Sequence, residues 1–334
     1  MGIKIRAVEY YLPEGTLTTD DLSREFPEWS ADKIAAKTGI AVRHIAETDE
    51  FSSDLAIAAG KKLLRSVEVD PESIDFLIVC TQTADFVLPS IASFVQHSLG
   101  LKTSIAAIDL NQGCSGFVYA LGMAKAVIEA GQAKRVLLIT SDTYSKLLNP
   151  GDKSVRTIFG DGATATLVDV TAEPDNFVIE YGTDGAGAKS LIVPRGGLRD
   201  AARLQPAAHA RARSIDQGPY DLFMDGPEIF NFTLRVVPET VSRVLERADL
   251  TLDDIDLFVF HQANAFMLEH LRKKLKIPAE KFVMALKDSG NTVSSTIPIA
   301  LANAIEEGRL REGMQIMLLG FGVGLSWAGT TLKW

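Results

Sequence analysis

Three short segments of this chain recur roughly 180 residues further on, in the same order, as expected of one structural unit used twice. Ile74-Asp75-Phe76-Leu77-Ile78-Val79 reads against Ile255-Asp256-Leu257-Phe258-Val259-Phe260. Gly113-Cys114, followed by an apolar helix ending near Gly131, reads against Gly290-Asn291 and a helix ending near Gly308. Val136-Leu137-Leu138-Ile139 reads against Ile316-Met317-Leu318-Leu319. Like halves fused in one chain can be related by an approximate two-fold axis, so matching places converge on one centre. Those places hold Cys114, Asn291 and, after the strand ending at Phe260, His261. The repeat predicts one pocket containing a thiol, an amide and an imidazole.

The four apolar runs 76–79, 136–139, 257–260 and 316–319 are short and rich in Val and Ile, which reads as buried strands. Helical stretches lie between them, including Phe117 to Ala130 and Ile297 to Glu307. A helix over 52–65 opens with a Ser cap and an Asp in its first turn, and its counterpart runs through Glu228 to Arg247. Alternating strands and helices give an α/β fold, and the repeat layers it as helix, sheet, helix, sheet, helix. The expected halves are 1–175, with the cysteine, and 176–334, with the histidine and asparagine. The stretch 184–220 breaks the pattern as an irregular excursion carrying Arg195, Arg199, Arg203, Arg211 and Arg213. Ordered loops of that length are often functional; a solvated surface loop is the plain alternative.

Composition narrows the partners. The 334 residues are 46% hydrophobic and 23% charged, which suits a globular protein with an ample core. A net charge of −9 argues against nucleic acid, because phosphate binding needs a basic face. Two cysteines, Cys80 and Cys114, with no C-x-x-C, suggest neither a disulfide framework nor a zinc site and fit a reducing cytoplasm. The N-terminal residues lack the apolar stretch of a signal peptide, and Arg6 stands where myristoylation needs Ser or Thr. Gly313 to Leu332 is uncharged, but its glycines favour two buried strands and a turn over a membrane span.

Cys114 precedes an apolar helix within Gln112-Gly113-Cys114-Ser115-Gly116. A helix N-terminus favours the thiolate through its dipole and free N–H groups, whereas a merely buried cysteine is inert. Cys80, at the end of an apolar strand, takes the inert reading. His261 opens a polar cluster at the carboxyl end of a buried strand, where α/β folds build sites; His44, His97, His209 and His270 read as surface or helix-face residues. Asn291 is a candidate either for the pocket or for capping the next helix. Phe159-Gly160-Asp161-Gly162-Ala163 and Gly320-Phe321-Gly322-Val323-Gly324 fit no phosphate-loop pattern and read as tight turns. The second is placed to offer a backbone N–H to the pocket.

With these residues in hand, the chain resembles the thiolase-like condensing enzymes, specifically the β-ketoacyl-acyl-carrier-protein synthase III family. The likeness spans essentially the whole chain. It rests on Thr38-Gly39-Ile40 with Arg43-His44-Ile45-Ala46, Pro89-Ser90, Gly113-Cys114-Ser115-Gly116-Phe117, Ile158-Phe159-Gly160-Asp161-Gly162-Ala163, His261-Gln262-Ala263-Asn264 and Gly290-Asn291-Thr292. The resemblance implies a five-layer α-β-α-β-α thiolase-like fold of two duplicated halves. It implies that Cys114 is acylated from a thioester, that the N–H groups of Cys114 and Val323 hold the oxyanion, and that His261 and Asn291 promote decarboxylation of malonyl carrier protein. It implies no metal or redox cofactor, with coenzyme A thioesters and acyl carrier protein as partners, a homodimer and a cytoplasmic setting. Leu88, near Pro89-Ser90, would reach the partner subunit's acyl pocket.

The resemblance also exposes departures. An ungapped reading puts Lys33 where the family often stacks adenine on a tryptophan. Lys37 and Lys153 stand where arginines commonly touch coenzyme A. Phe266 replaces an arginine used for carrier docking, with Arg272, Lys273 and Lys274 following it and Asn264 preceding it. These changes bear on the acyl donor, not on the chemistry. A related acyltransferase moving an acyl group to an alcohol or amine is the alternative, but Asn291 favours condensation, since simple transfer has less need of a second enolate donor. A thiol protease has the same Cys, His, Asn order but lacks such a repeat. An idle acyl-binding subunit is disfavoured by the intact set of three.

Overall fold

The computed structural model describes residues 2–172, 177–197, 218 and 220–334. Its elements follow the repeat. In the first half, β1 (Gly2–Tyr11) leads into a small outlying unit. That unit holds β2 (Thr16–Thr18), α1 (Thr19–Glu25), α2 (Ala31–Thr38) and β3 (Val42–His44). There follow α3 (Ser52–Ser66), β4 (Phe76–Cys80), α4 (Ile91–Ser98), β5 (Ala106–Leu110), α5 (Gly116–Glu129), β6 (Arg135–Asp142), α6 (Lys153–Arg156) and β7 (Gly162–Thr171). The second half runs β8 (Val178–Thr183), β9 (Leu191–Ile192), β10 (Phe223–Met224), α7 (Gly226–Ala248), β11 (Leu257–Phe260), α8 (Ala265–Lys274), α9 (Thr296–Glu306), β12 (Gln315–Gly322) and β13 (Ser326–Lys333).

One sheet has the order β1-β7-β6-β4-β5 and the other β11-β12-β13-β8. Read from the far edge, the second is β8-β13-β12-β11, the same arrangement without its fifth strand. The register repeats too: Phe76 pairs with Val136 and Leu257 with Ile316, both in parallel. The missing fifth strand is reduced to a single bridge between Phe258 and Phe282. β4 and β11 are buried along nearly their whole length, as strands covered on both faces must be.

Between the sheets lie α5 and α9, which touch strands of both. Both are apolar around most of their circumference, and α5 buries Phe117, Val118, Leu121 and Ile128. A helix apolar all round has nowhere to go but the middle of a protein. Each such large side chain contributes on the order of 1.5–3 kcal/mol by leaving water. α3 covers the outer face of the first sheet and α7 that of the second, completing five layers.

Several expectations need correction. Ser52 does not cap α3: the cap position is Phe51, and the Asp54 carboxylate accepts its backbone N–H. The segment 313–332 is two antiparallel buried strands, but Gly320 and Gly322 lie inside β12 and not in the turn. Of the excursion 184–220, the described part includes β9, which pairs with β10 just beyond the excursion. Arg199, Arg203, Arg211, Arg213 and His209 lie outside the described residues.

Candidate active site

Cys114 stands just before Ser115, the N-cap of α5, and is almost fully buried. β12 passes directly over it. A Cβ on Gly320 would sit 2.6 Å from the Cys114 carbonyl oxygen, and one on Gly322 would sit 3.0 Å from Sγ. The glycines are there for close approach, which the sequence reading mistook for turn geometry. The approach brings the Val323 N–H to the cysteine sulfur alongside the N–H of Cys114 itself.

His261 follows β11 and is 2% exposed. Its Nδ1 lies 2.7 Å from the Thr296 hydroxyl, and its ring meets Phe321 edge-on at 5.4 Å. Asn291 precedes α9 by one short turn. Its Oδ1 accepts the Val293 N–H at 2.9 Å, while its backbone is bridged to Phe159. Asn291 does not cap α9, whose N-cap is Ser295; its carbonyl end is instead tied to the turn before that helix, which leaves the Nδ2 donor for the cavity. Cys114, His261 and Asn291 line one cavity of about 590 Å³.

The resting site is electrically quiet. Burial pushes the Cys114 thiol up to about 12, with the Asp142 carboxylate adding to the rise and the N–H groups of Cys114 and Val323 opposing it. Burial also lowers His261 to about 3, so its ring is neutral. In the free site desolvation works against the thiolate that the helix N-terminus favours. Asp142, wholly buried, is raised to about 7 by desolvation although it accepts from Ser294 and from the Gln82 N–H. Cys80 is buried, its thiol directed to the Gln112 carbonyl and pushed well up by desolvation.

The wall of the cavity is largely apolar, with Phe159, Leu191, Met224, Ile229, Phe230 and Met267. Its mouth holds a residue the sequence reading missed. Trp29 lines the cavity, with the ammonium groups of Lys33, Lys37 and Lys153 at 5.5, 4.8 and 5.3 Å from its ring. Lys37 and Lys153 line the cavity and Lys33 does not; the aromatic stands four residues before Lys33, in the turn ahead of α2. The signal that would have shown it is Trp29 itself, nine residues ahead of Thr38-Gly39-Ile40. Lys153 also pairs with Glu28 at 2.6 Å.

The remaining sequence candidates fall on the rim or beyond it. Asn264 lines the cavity and caps α8 through the Met267 N–H. Phe266 is exposed and stacks on Phe230. Arg272 is held in a two-point pair by Glu269 and donates to the Ile277 carbonyl, and Lys274 reaches the Leu234 carbonyl. Lys273, with its side chain 69% exposed, is the freest of the three, though it too lies 3.3 Å from Glu269. Leu88 is 79% exposed, beside exposed Phe86 and Val87, and does not touch its own cavity. Among the described residues, no group of three or more His, Cys, Asp or Glu could hold a metal ion. No described helix is long and apolar enough to cross a membrane.

Comparison with known proteins agrees with this geometry. Residues 108–188 match the family 3-oxoacyl-[acyl-carrier-protein] synthase III, and residues 245–334 match the C-terminal part of the same family. The β-ketoacyl-[acyl-carrier-protein] synthase III of Caldanaerobacter subterraneus subsp. tengcongensis is 38% identical, covering 97% of this chain and 95% of that one. A crystal structure of a 3-oxoacyl-(acyl-carrier-protein) synthase III is 46% identical and superposes over all of both chains with a TM-score of 0.95. That of the 3-oxoacyl-(acyl-carrier protein) synthase from Burkholderia xenovorans LB400 is 38% identical, covers 100% and 94% of the two chains, and has a TM-score of 0.92.

A thiol raised to about 12 has a thiolate fraction near 10⁻⁵ at pH 7, which rises tenfold per pH unit. Iodoacetamide labelling of Cys114 in the free protein should therefore increase log-linearly from pH 7 to 9, with Cys80 unlabelled. Peptide mass spectrometry across that range checks it; a plateau below pH 8 contradicts a desolvated thiol.

Proposed function

The chain belongs to the 3-oxoacyl-acyl-carrier-protein synthase III family, and from that premise we propose how its own residues divide the work. The protein is an acyltransferase. It condenses an acyl thioester with malonyl carrier protein, releasing CO2 and giving a 3-oxoacyl carrier protein, in fatty acid biosynthesis. The observation that carries the residue assignment is the single cavity shared by Cys114, His261 and Asn291.

In the first half-reaction the Cys114 sulfur adds to the thioester carbonyl. The Cys114 and Val323 N–H groups, the two backbone donors near the sulfur, receive the oxyanion. The donor thiol leaves with the proton that Cys114 gives up. In the second, the bond between the malonyl α-carbon and its free carboxylate breaks. CO2 departs and the electron pair moves onto the thioester oxygen, which accepts hydrogen bonds from His261 Nε2–H and Asn291 Nδ2–H. The enolate carbon then attacks the acyl group, and Cys114 leaves as the thiolate. Donors fixed in a water-poor site do this without reorganising, which is where their strength lies.

The surfaces follow the same reading. Trp29 with Lys37 and Lys153 at the mouth suits the base and phosphates of coenzyme A, since an aromatic face and cations meet both. Carrier protein is acidic, so Lys273 and the exposed Phe266 are its contacts on this acidic chain. Leu88, exposed on an apolar tip, is the residue a homodimer would insert into its partner's acyl pocket.

Asn291→Ala tests the division directly. It should self-acylate normally and release CO2 from malonyl carrier protein about a hundredfold more slowly, as for a lost oxyanion donor. Equal loss of both half-reactions argues against separate roles. Two surface variants, Leu88→Trp and Lys273→Glu, test the contacts. The first should shorten the preferred acyl chain. The second should raise KM for malonyl carrier protein and spare a small acyl thioester. An unchanged chain-length profile, or equal effects on both thioesters, removes the respective assignment.

A further inference from the structure

Thr296 is the first residue of α9 and is as buried as His261. Its hydroxyl oxygen lies 2.7 Å from His261 Nδ1 and 3.1 Å from the Val293 carbonyl oxygen. A hydroxyl has one proton, so it donates to one of these and not to both. The choice sets the tautomer of the neutral ring. If the hydroxyl donates to Val293, Nδ1 must carry the proton and donate to Thr296, which leaves Nε2 a bare acceptor. If the hydroxyl donates to Nδ1, the ring proton sits on Nε2.

Two observations favour the second arrangement. The approach to Nδ1 is the shorter of the two. The Val293 carbonyl also already accepts the backbone N–H of Thr296, so it keeps a partner when the hydroxyl turns away. Turning the hydroxyl therefore leaves no buried group unpaired. The edge-on contact with Phe321 fixes the ring plane in either case. The ring is neutral because it is desolvated, which is the condition under which its tautomer matters.

We infer that Thr296 is a positioning residue that holds His261 in the Nε2–H tautomer, so that the ring donates a hydrogen bond toward the cavity and does not act as its base. The inference rests on the assignment of His261 as a donor to the enolate oxygen. It adds what makes that assignment chemically consistent: a histidine lowered to about 3 has no charge to offer, so the position of its single ring proton decides what it can do. It also gives Thr296 a purpose that capping does not explain, since Ser295 is the N-cap residue of α9.

The test uses Thr296→Val, which keeps the shape and removes the hydroxyl, and Thr296→Ser, which keeps the hydroxyl. Protein labelled with ¹⁵N-histidine reports which ring nitrogen of His261 is protonated. Native protein should show the proton on Nε2. Thr296→Val should release CO2 from malonyl carrier protein more slowly by about 100-fold or more, as for a lost proton donor, with self-acylation within about threefold of native. Thr296→Ser should recover most of that loss. A proton on Nδ1 in native protein overturns the inference. So does a Thr296→Val variant with full CO2 release, or equal loss of both half-reactions in the Val and Ser variants. His261→Ala, run alongside, separates the two claims. Normal CO2 release there removes the assignment of His261 itself; loss there with none in Thr296→Val removes only the tautomer. If Thr296→Val does not fold, the ring-nitrogen spectrum of native protein decides alone.

Discussion

The two halves meet where β12 runs over Cys114 with no side chain between them. Gly320 faces the Cys114 carbonyl and the Ser115 backbone, and Gly322 faces the Cys114 side chain. Everything reactive depends on that contact. It brings the Val323 N–H near the sulfur, lines the cavity with Phe321 and joins the helix of one half to the strand of the other. A side chain at Gly320 would meet backbone and not a flexible tip, so the strand would have to withdraw, and the N–H with it. The large apolar investment in α5 and α9, packed between the sheets, holds the halves at that spacing.

The site works through placed donors more than through charge. Its thiol and imidazole are both neutral at rest, because burial raises one and lowers the other. Burial that disfavours charge also strengthens every hydrogen bond made inside it. On the proposed mechanism negative charge develops on a thioester oxygen in both half-reactions, and each time a pair of N–H groups is assigned to receive it. Asn291 can serve only because its carbonyl oxygen is committed to the Val293 N–H. The same logic, applied to a ring with two nitrogens, gives Thr296 its place.

Much of this was legible in the residues. The repeat predicted that the runs 76–79 and 136–139 would be buried strands matched by 257–260 and 316–319, because buried strands show as apolar runs; their parallel pairing, Phe76 with Val136 and Leu257 with Ile316, is what the fold adds. It also predicted that Cys114, His261 and Asn291 would share a cavity, since strand ends and helix starts are where such folds converge. Other features escaped for physical reasons. Trp29 lies four residues before Lys33, the place an ungapped reading gives it, and only the fold shows Lys37 and Lys153 closing on its ring. Gly320 and Gly322 looked like turn residues because a glycine required by a neighbour is indistinguishable in sequence from one required by φ. The desolvation of the cysteine is not visible in sequence, whereas its helix N-terminus is. Thr296 carried no signal at all, being one hydroxyl among several near the start of an apolar helix.

The central claim is that one buried cysteine carries the acyl group between two half-reactions performed in the same cavity. Peptide mass mapping in a pulse and chase measures it most directly. After exposure to an acyl coenzyme A, the acyl mass should lie on the peptide containing Cys114, and malonyl carrier protein should remove it with stoichiometric appearance of 3-oxoacyl carrier protein. Acyl mass on Cys80, or mass on Cys114 that malonyl carrier protein does not discharge, would contradict the account.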